Sequence, residues 1–381
     1  MTTAVAGSPM LATIETVETV ERKKLRPIVG WAVLGVAFLA FEIYLLASWI
    51  LSGEAVQQGT GVTPVPTYVK VSLTAMQVIC PIMFILALWY FVIRPWRREG
   101  HVTTDGLFAL AIGLLFWQDP IGDFIGPWAI YNTYPLNFGS WLGRVPGIPF
   151  PHAARFAEPI LITPPVYLGG IFLMVVVANA LMRRADMRWP TLSRFRLIAG
   201  TFVFFIIADI LIEFFCMAIQ YYTFPGTMKF MAVFGDSYFR FPIYEAVAMA
   251  VLWTALSCLR YFKNDKGDTY AERGSEQLRA TGWRKSGIRF LALIGIVNLI
   301  YVFSYNVPVA YFALNMEKFP KAITSKSYLM GGDVHCGRGT TYKCPGPAVP
   351  IPRGNSAHVG PDGKLVPAGD GQNTTTVEGS R

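Results

Sequence analysis

Apolar residues run in seven blocks along the chain, roughly 28–51, 70–93, 104–117 with a few residues more, 159–182, 197–222, 241–260 and 287–312. A helix needs about 20 apolar residues to cross the hydrocarbon core of a bilayer, and most of these blocks reach that length. The third is shorter and Pro120 follows it, so its inclusion decides whether the count is odd or even. With it, the pattern predicts an all-α integral membrane protein, a seven-transmembrane-helix bundle spanning 28–315. Residues 1–27 form a polar tail before it. Residues 316–381 are rich in Gly and Pro, lack hydrophobic periodicity and are expected to be mostly disordered. Residues 118–158 connect the third and fourth blocks and carry Pro, Gly and aromatics but little charge. Such a segment is too apolar for a solvated linker, and it is expected to pack on the bundle or re-enter the membrane beside it.

Composition agrees with the blocks. Of the 381 residues 53% are hydrophobic and 15% charged, where a soluble domain carries about a quarter charged residues. The net charge of +9 invites a nucleic-acid reading, but the basic residues sit at block ends, where they set topology. No nucleic-acid partner is expected. Arg22, Lys23, Lys24 and Arg26 precede the first block, and Arg94, Arg97 and Arg98 follow the second. Dense runs also separate the fourth block from the fifth and the sixth from the seventh. The alternate loops hold only Lys70, Arg144, Arg155, Lys229 and Arg240. That bias places the N-terminus inside and the C-terminus outside, in a multi-pass protein of the cell membrane. The first block is too long for a signal-peptide core and reads as a retained anchor.

The acidic residues within or beside the blocks are the informative chemistry, because a carboxyl in hydrocarbon is costly unless paired, protonated or hydrated. Asp209 and Glu213 stand at i and i+4 in the fifth block, on one helix face with Cys216 and Gln220. Glu245 opens the sixth block, Asp119 and Asp123 follow the third, Glu158 opens the fourth, and Glu42 lies in the first. With an inside N-terminus, Asp209, Glu213, Glu245, Asp119, Asp123 and Glu158 gather in the outer half, beside Asn298, Tyr301, Tyr305 and Asn306 of the seventh block. The expected arrangement is a polar cavity opening outward under the 118–158 loop. Asp209, Glu213, Asp119, Asp123 and Glu245 are the candidate catalytic groups. Trp117, Tyr131, Asn132, Trp141, Asn298 and Tyr301 are the candidate substrate contacts. A bland alternative stands beside each: Glu42 as a helix-to-helix hydrogen bond, Asp119 as a helix terminator, His152 and Arg155 as loop scaffolding.

Other chemistries lack their residues. No Walker loop or glycine-rich dinucleotide fingerprint occurs. His101, His152, His335 and His358 are too scattered for a metal site, so neither metal nor other cofactor is expected. The seventh block has no lysine to hold retinal. Cys80, Cys216 and Cys258 lie in apolar blocks as small hydrophobes. Cys336 and Cys344 share a short polar segment, and an outside tail would let them form a disulfide.

The stretch FWQDPIGDFIGPWAIYNTYPLNFGSWLGRVPGIPFPHAARFAEP, between the third and fourth blocks, resembles the AveC-like spirocyclase family of actinobacterial membrane proteins. Trp117 to Pro120 and Tyr131 with Asn132 carry the most specific part. The likeness extends over about residues 28–315 and to the tail beginning near YKCPGPAVPIPRG. It implies an enzyme of secondary metabolism that closes an apolar polyketide-type dihydroxy-ketone into a spiroketal, with dehydration as a further capacity. It brings no catalytic residues with it, so the candidates above rest on the residues alone. The long polar tail departs from a minimal cyclase.

Acid-catalysed closure suits these residues. It requires a proton for a departing hydroxyl and a carboxylate or aromatic face for an oxocarbenium-like cation. A membrane terpene or isoprenoid cyclase would use the same groups. A non-enzymatic transporter or lipid-binding protein would instead distribute carboxyls along a path through both membrane halves.

Overall fold

The computed structural model describes residues 27–125, 128–147, 156–315 and 319–330, with the backbone of two short strands, His358–Val359 and Leu365–Val366. Seven helices are long and apolar enough to cross a membrane: α1 (Pro27–Leu51), α2 (Thr67–Glu99), α3 (Thr104–Phe124), α4 (Thr163–Arg188), α5 (Arg194–Ala218), α6 (Ile243–Tyr261) and α7 (Gly282–Leu314). Backbone groups inside a bilayer must be satisfied within the segment, which makes helices the available form for blocks of this length.

The apolar blocks are hydrophobic on all sides because lipid covers what protein does not. Val33 and Ile43 of α1, Ile85 of α2 and Leu211 of α5 point away from the bundle. Packing between helices relies on small residues at crossings. A Cβ on Gly35 of α1 would stand 1.8 Å from the Leu291 carbonyl oxygen of α7, and one on Gly295 would stand 2.2 Å from the Trp31 carbonyl oxygen. The two backbones therefore touch. Gly169 brings α4 close to α2 in the same way, and its Cβ would meet the Phe84 backbone nitrogen at 2.9 Å.

Helix α3 does not stop before Pro120. Its backbone tightens to a 3₁₀ segment over Leu114–Gln118 and resumes as an α-helix over Asp119–Phe124, with Pro120 in the first turn. A proline is tolerated there because the first-turn N–H groups lack intrahelical partners. The connection expected from residue 118 thus begins after Phe124, and Asp119 and Asp123 belong to the last turns of a spanning helix. Wide π-turns interrupt α4 at Tyr167–Ile171 and α7 at Val302–Asn306, on either side of the same region. Such bulges re-aim side chains and recur at functional sites.

The remaining chain forms a layer over the end of the bundle where α1, α3, α5 and α7 finish. Three antiparallel pairs build it: β1 (Ile130–Tyr131) with β4 (Tyr222–Thr223), β2 (Asn137–Gly139) with β3 (Ala157–Pro159), and β5 (Ala232–Val233) with β6 (Phe241–Pro242). Asn137, fully buried, donates to the carbonyls of Thr133 and Pro135 at 2.8 and 2.9 Å and accepts from the Gln58 backbone at 2.9 Å. The packed chain runs on past residue 315. Tyr328, Leu329 and Met330 are buried, Tyr328 accepts from the Thr133 backbone N–H at 2.9 Å, and the Tyr328 hydroxyl donates to Gln220 at 2.9 Å. Residues 319–330 therefore belong with the layer rather than with the tail expected from 316.

The opposite end of the bundle is basic, and its acids are paired. Arg260 donates to Asp105 and to Asn179, each at 2.7 Å. Arg289 donates to Glu272 at 2.8 Å and to Thr104 at 2.6 Å. Glu272 also closes a capping box with Thr269.

Candidate functional site

Six carboxyls come together beneath the strand layer. Asp119 and Asp123 arrive on the end of α3, Glu158 on β3, Asp209 and Glu213 on α5, and Glu245 on the first turn of α6. Five of the six are buried, and Asp123 is half-buried. The largest influences on each come from desolvation, from one another and from tyrosines, and none comes from a lysine or arginine.

The group divides into two parts with Asp123 between them. In the first, Asp119 accepts from the Tyr131 hydroxyl and the Tyr167 hydroxyl, both at 2.9 Å, one on each carboxyl oxygen. Tyr167 lies 2.8 Å from the hydroxyl of Tyr301 on α7. Glu158 interacts electrostatically with Asp119, Asp123, Tyr131 and Tyr221, and among the described residues neither of its oxygens has a hydrogen-bond partner. Burial, then the charges of Asp119 and Asp123, push the Glu158 carboxyl well above the usual carboxylate range. Burial likewise holds the phenols of Tyr131, Tyr221 and Tyr222 well above theirs, so all three remain donors.

In the second part, oxygens of Asp209, Glu213 and Glu245 lie within 4.8 Å of one another. Asp209 and Glu245 act on each other most strongly across the face between α5 and α6. Glu213 bonds to Tyr222, and Asp123 acts on both Glu213 and Glu245. The two parts meet through the β1–β4 pair, where Tyr131 sits opposite Tyr222 and its ring lies 5.2 Å from that of Tyr221. Among the described residues, Asp209, Glu213 and Glu245 also have the spacing to hold a hard, oxygen-seeking cation.

Local structure explains why these positions converge. The i, i+4 spacing puts Asp209 and Glu213 on one face of α5, turned to α6. Gln220 then adopts a left-handed conformation (φ 56°) that turns the chain from α5 into β4. The last turn of α3 fits because Gly122 has no side chain: a Cβ there would stand 2.8 Å from the Tyr305 ring. Phe124 stacks on Phe156 at 4.8 Å, which sets β3 and hence Glu158 against α3.

The sequence candidates separate on this frame. Asp119, Asp123, Asp209, Glu213, Glu245, Tyr131 and Tyr301 all stand in the carboxyl cluster. Trp117, Asn298 and Trp141 instead hold one another: Trp117 donates to Asn298 at 3.1 Å, and Trp141 donates to the Trp117 carbonyl at 2.8 Å. Gln118 completes that group, donating to Asn298 at 2.8 Å and accepting from Asn306 at 2.9 Å. Asn132 fixes a turn, donating to the Gln220 carbonyl at 2.8 Å and accepting from the Tyr134 N–H at 2.9 Å. Glu42 is buried on α1, outside the group of six. His152, Arg155, Cys336 and Cys344 lie outside the described residues.

Glu158 and Tyr167 were not on the sequence's list of candidates. Glu158 was visible as an acid at a block edge. Tyr167 gave no signal, being one tyrosine in an apolar run.

The cluster is closed rather than the open cavity expected. The layer packs down on it and tyrosines fill its walls. A groove of about 460 Å³ opens at the side of the bundle against Phe214, Phe234, Ser237 and Phe239, beginning one residue from Glu213. A second cavity of about 590 Å³ lies at the basic end, lined by Arg94, Arg98 and Lys263 among others.

The family model described as "Spirocyclase AveC-like" matches residues 96–329, more than half of the chain. That span contains all six carboxyls, the three strand pairs and all but the last residue of the packed segment 319–330. No curated protein and no solved structure matches the chain.

Proposed function

The chain belongs to the AveC-like spirocyclase family, and from that premise we propose that it closes an apolar, polyketide-type dihydroxy-ketone into a spiroketal by acid catalysis within the membrane. The observation that carries this reading is the group of six carboxyls, five of them buried, on which the largest influences among the described residues are desolvation, one another and tyrosines. Carboxyls in that setting serve as proton donors and as partners for a short-lived cation. Tyrosine faces add an electron-rich wall for the same charge. Water is released in the reaction, and a closed, apolar surround favours its loss.

The apolar groove lined by Phe214, Phe234, Ser237 and Phe239 offers an apolar molecule a surface at the side of the bundle. A transporter reading has less support, because Asp105, Asp268 and Glu272 at the basic end are tied to Arg260, Lys263 and Arg289 and do not continue a path. The charge bias of the loops supports a basic end facing the cytoplasm and a strand layer facing outward, in the cell membrane. An impermeant thiol reagent applied to intact cells tests that orientation: Gln58→Cys should label and Lys266→Cys should not, and the reverse pattern overturns it.

The activity is tested with purified protein in lipid vesicles and a panel of synthetic aliphatic dihydroxy-ketones, following loss of one water by mass spectrometry. Spiroketal should form faster than in protein-free vesicles and with one predominant stereochemistry. Equal rates and equal stereochemical mixtures with and without protein, across the panel, would overturn the proposal.

A further inference from the structure

Asp119 and Glu158 face each other in one desolvated site, yet their partners differ completely. Asp119 has a phenol donor on each oxygen, from Tyr131 and Tyr167. Donors on both oxygens favour the ionised form of a carboxyl. Glu158 is 1% exposed and, among the described residues, has no donor on either oxygen. The described groups that act on it are Asp119 and Asp123 from α3, Tyr131 from β1 and Tyr221 from the turn before β4, none of them positively charged. Two carboxyls of one site that differ in this way, one with a donor on each oxygen and one with none, are suited to divide the roles of standing negative charge and acid.

We propose that Glu158, carried on the strand layer, is the proton donor of the site, and that Asp119, clamped by Tyr131 and Tyr167, is the carboxylate that faces the developing cation. The assignment rests on the spirocyclase reading and deepens it. One hydroxyl of the substrate first adds to its ketone, giving a hemiketal. The Glu158 proton passes to the hemiketal hydroxyl, and the C–O bond breaks with its electron pair leaving in water. The oxocarbenium ion so formed lies against the Asp119 carboxylate. The second hydroxyl attacks that carbon, forming the new C–O bond, and its proton returns to Glu158. The cycle closes with loss of one water and no other reagent.

Position in the fold gives the pair its logic. Asp119 is fixed by a helix end and by tyrosines from two other elements. Glu158 is held by the β2–β3 ladder and by the stacking of Phe156 on Phe124. The donor is therefore mounted on the layer and the carboxylate on the bundle, and the bond to be broken would lie between them.

Infrared difference spectroscopy of the purified chain at neutral pH reads the two protonation states without any substrate. Wild type minus Glu158→Gln should show the carbonyl band of a protonated carboxylic acid. Wild type minus Asp119→Asn should show the paired bands of a carboxylate. The opposite assignment, or a carboxylate band for Glu158, overturns the proposal even if cyclase activity is found. Should Glu158→Gln fail to fold, Glu158→Asp serves in its place: a shifted protonated-acid band supports the donor role, and an unmoved band overturns it. Kinetics give the second arm. Glu158→Gln should lower kcat by about 10²–10⁴-fold with little change in KM, and an unchanged kcat overturns the donor role. If the wild type turns over no dihydroxy-ketone, the spirocyclase reading fails while the infrared assignment is judged on its own bands.

Discussion

The two ends of the bundle use the same acidic residues to opposite effect. At the basic end Asp105 meets Arg260 and Lys263, and Asp268 and Glu272 meet Arg289. Each of these acids has a cation, and the result ties α3, α4, α6 and α7 to the 262–281 loop. At the strand end six carboxyls face one another and tyrosines, and among the described residues no lysine or arginine is one of the largest influences on them. Acidic side chains do not choose between structure and chemistry by themselves. The nearest cation, or the lack of one, decides.

The comparison breaks most sharply if carboxyls are neutralised at the strand end. Asp209→Asn or Glu213→Gln should cut turnover of the cyclisation substrate by about 10²–10⁴-fold, while the thermal midpoint in detergent stays level or rises. A lowered midpoint with turnover retained would show that these acids are structural.

The opposite result is expected at the basic end. Arg289→Met leaves Glu272 buried without its cation, which should cost about 3–5 kcal/mol of stability. Chemical unfolding in detergent measures it, and a cost below about 1 kcal/mol would show that the pair is solvated.

A smaller effect concerns pH. The Glu158 carboxyl is held above its ordinary value in the folded protein, so folded and unfolded chains carry the same proton only at pH below the unfolded value. As pH rises from there through the folded value, the unfolded chain ionises first, and the stability linked to this group is lost. Glu158→Gln should therefore flatten the decline of the thermal midpoint toward alkaline pH. An unchanged slope would assign the decline elsewhere.

The smallest effect sharpens the line between site and scaffold. Trp141→Phe removes one hydrogen bond to the Trp117 carbonyl and should cost about 1–2 kcal/mol with turnover intact. A large loss of turnover at full stability would return Trp141 to the substrate contacts.

Seven spans were legible because hydrocarbon imposes length and composition on any segment that crosses it, and that demand is local in sequence. The i, i+4 spacing of Asp209 and Glu213 was legible for the same reason: a helix face is fixed by the chain itself. The end of α3 was not. Pro120 reads as a stop, yet a 3₁₀ segment before it places the proline in a tolerated first turn, and that choice depends on packing against α7. The segment 319–330 was read as tail because its burial depends on Thr63, Thr133 and Gln220, far away in sequence.

Of the site, the sequence by itself determined that acids were present, on which helices, and which pair shared a face. Only the tertiary structure decided their partners. Two phenols from β1 and α4 converge on Asp119, among the described residues none donates to Glu158, and Glu213 and Glu245 come within 4.8 Å of Asp209. Trp117, Asn298 and Trp141 became scaffold because each found another for its hydrogen bond. The physical reason is one of range. Hydrophobic length and helical period act along the chain, whereas the protonation and role of a buried carboxyl are set by atoms a few ångströms away that any part of the chain can supply.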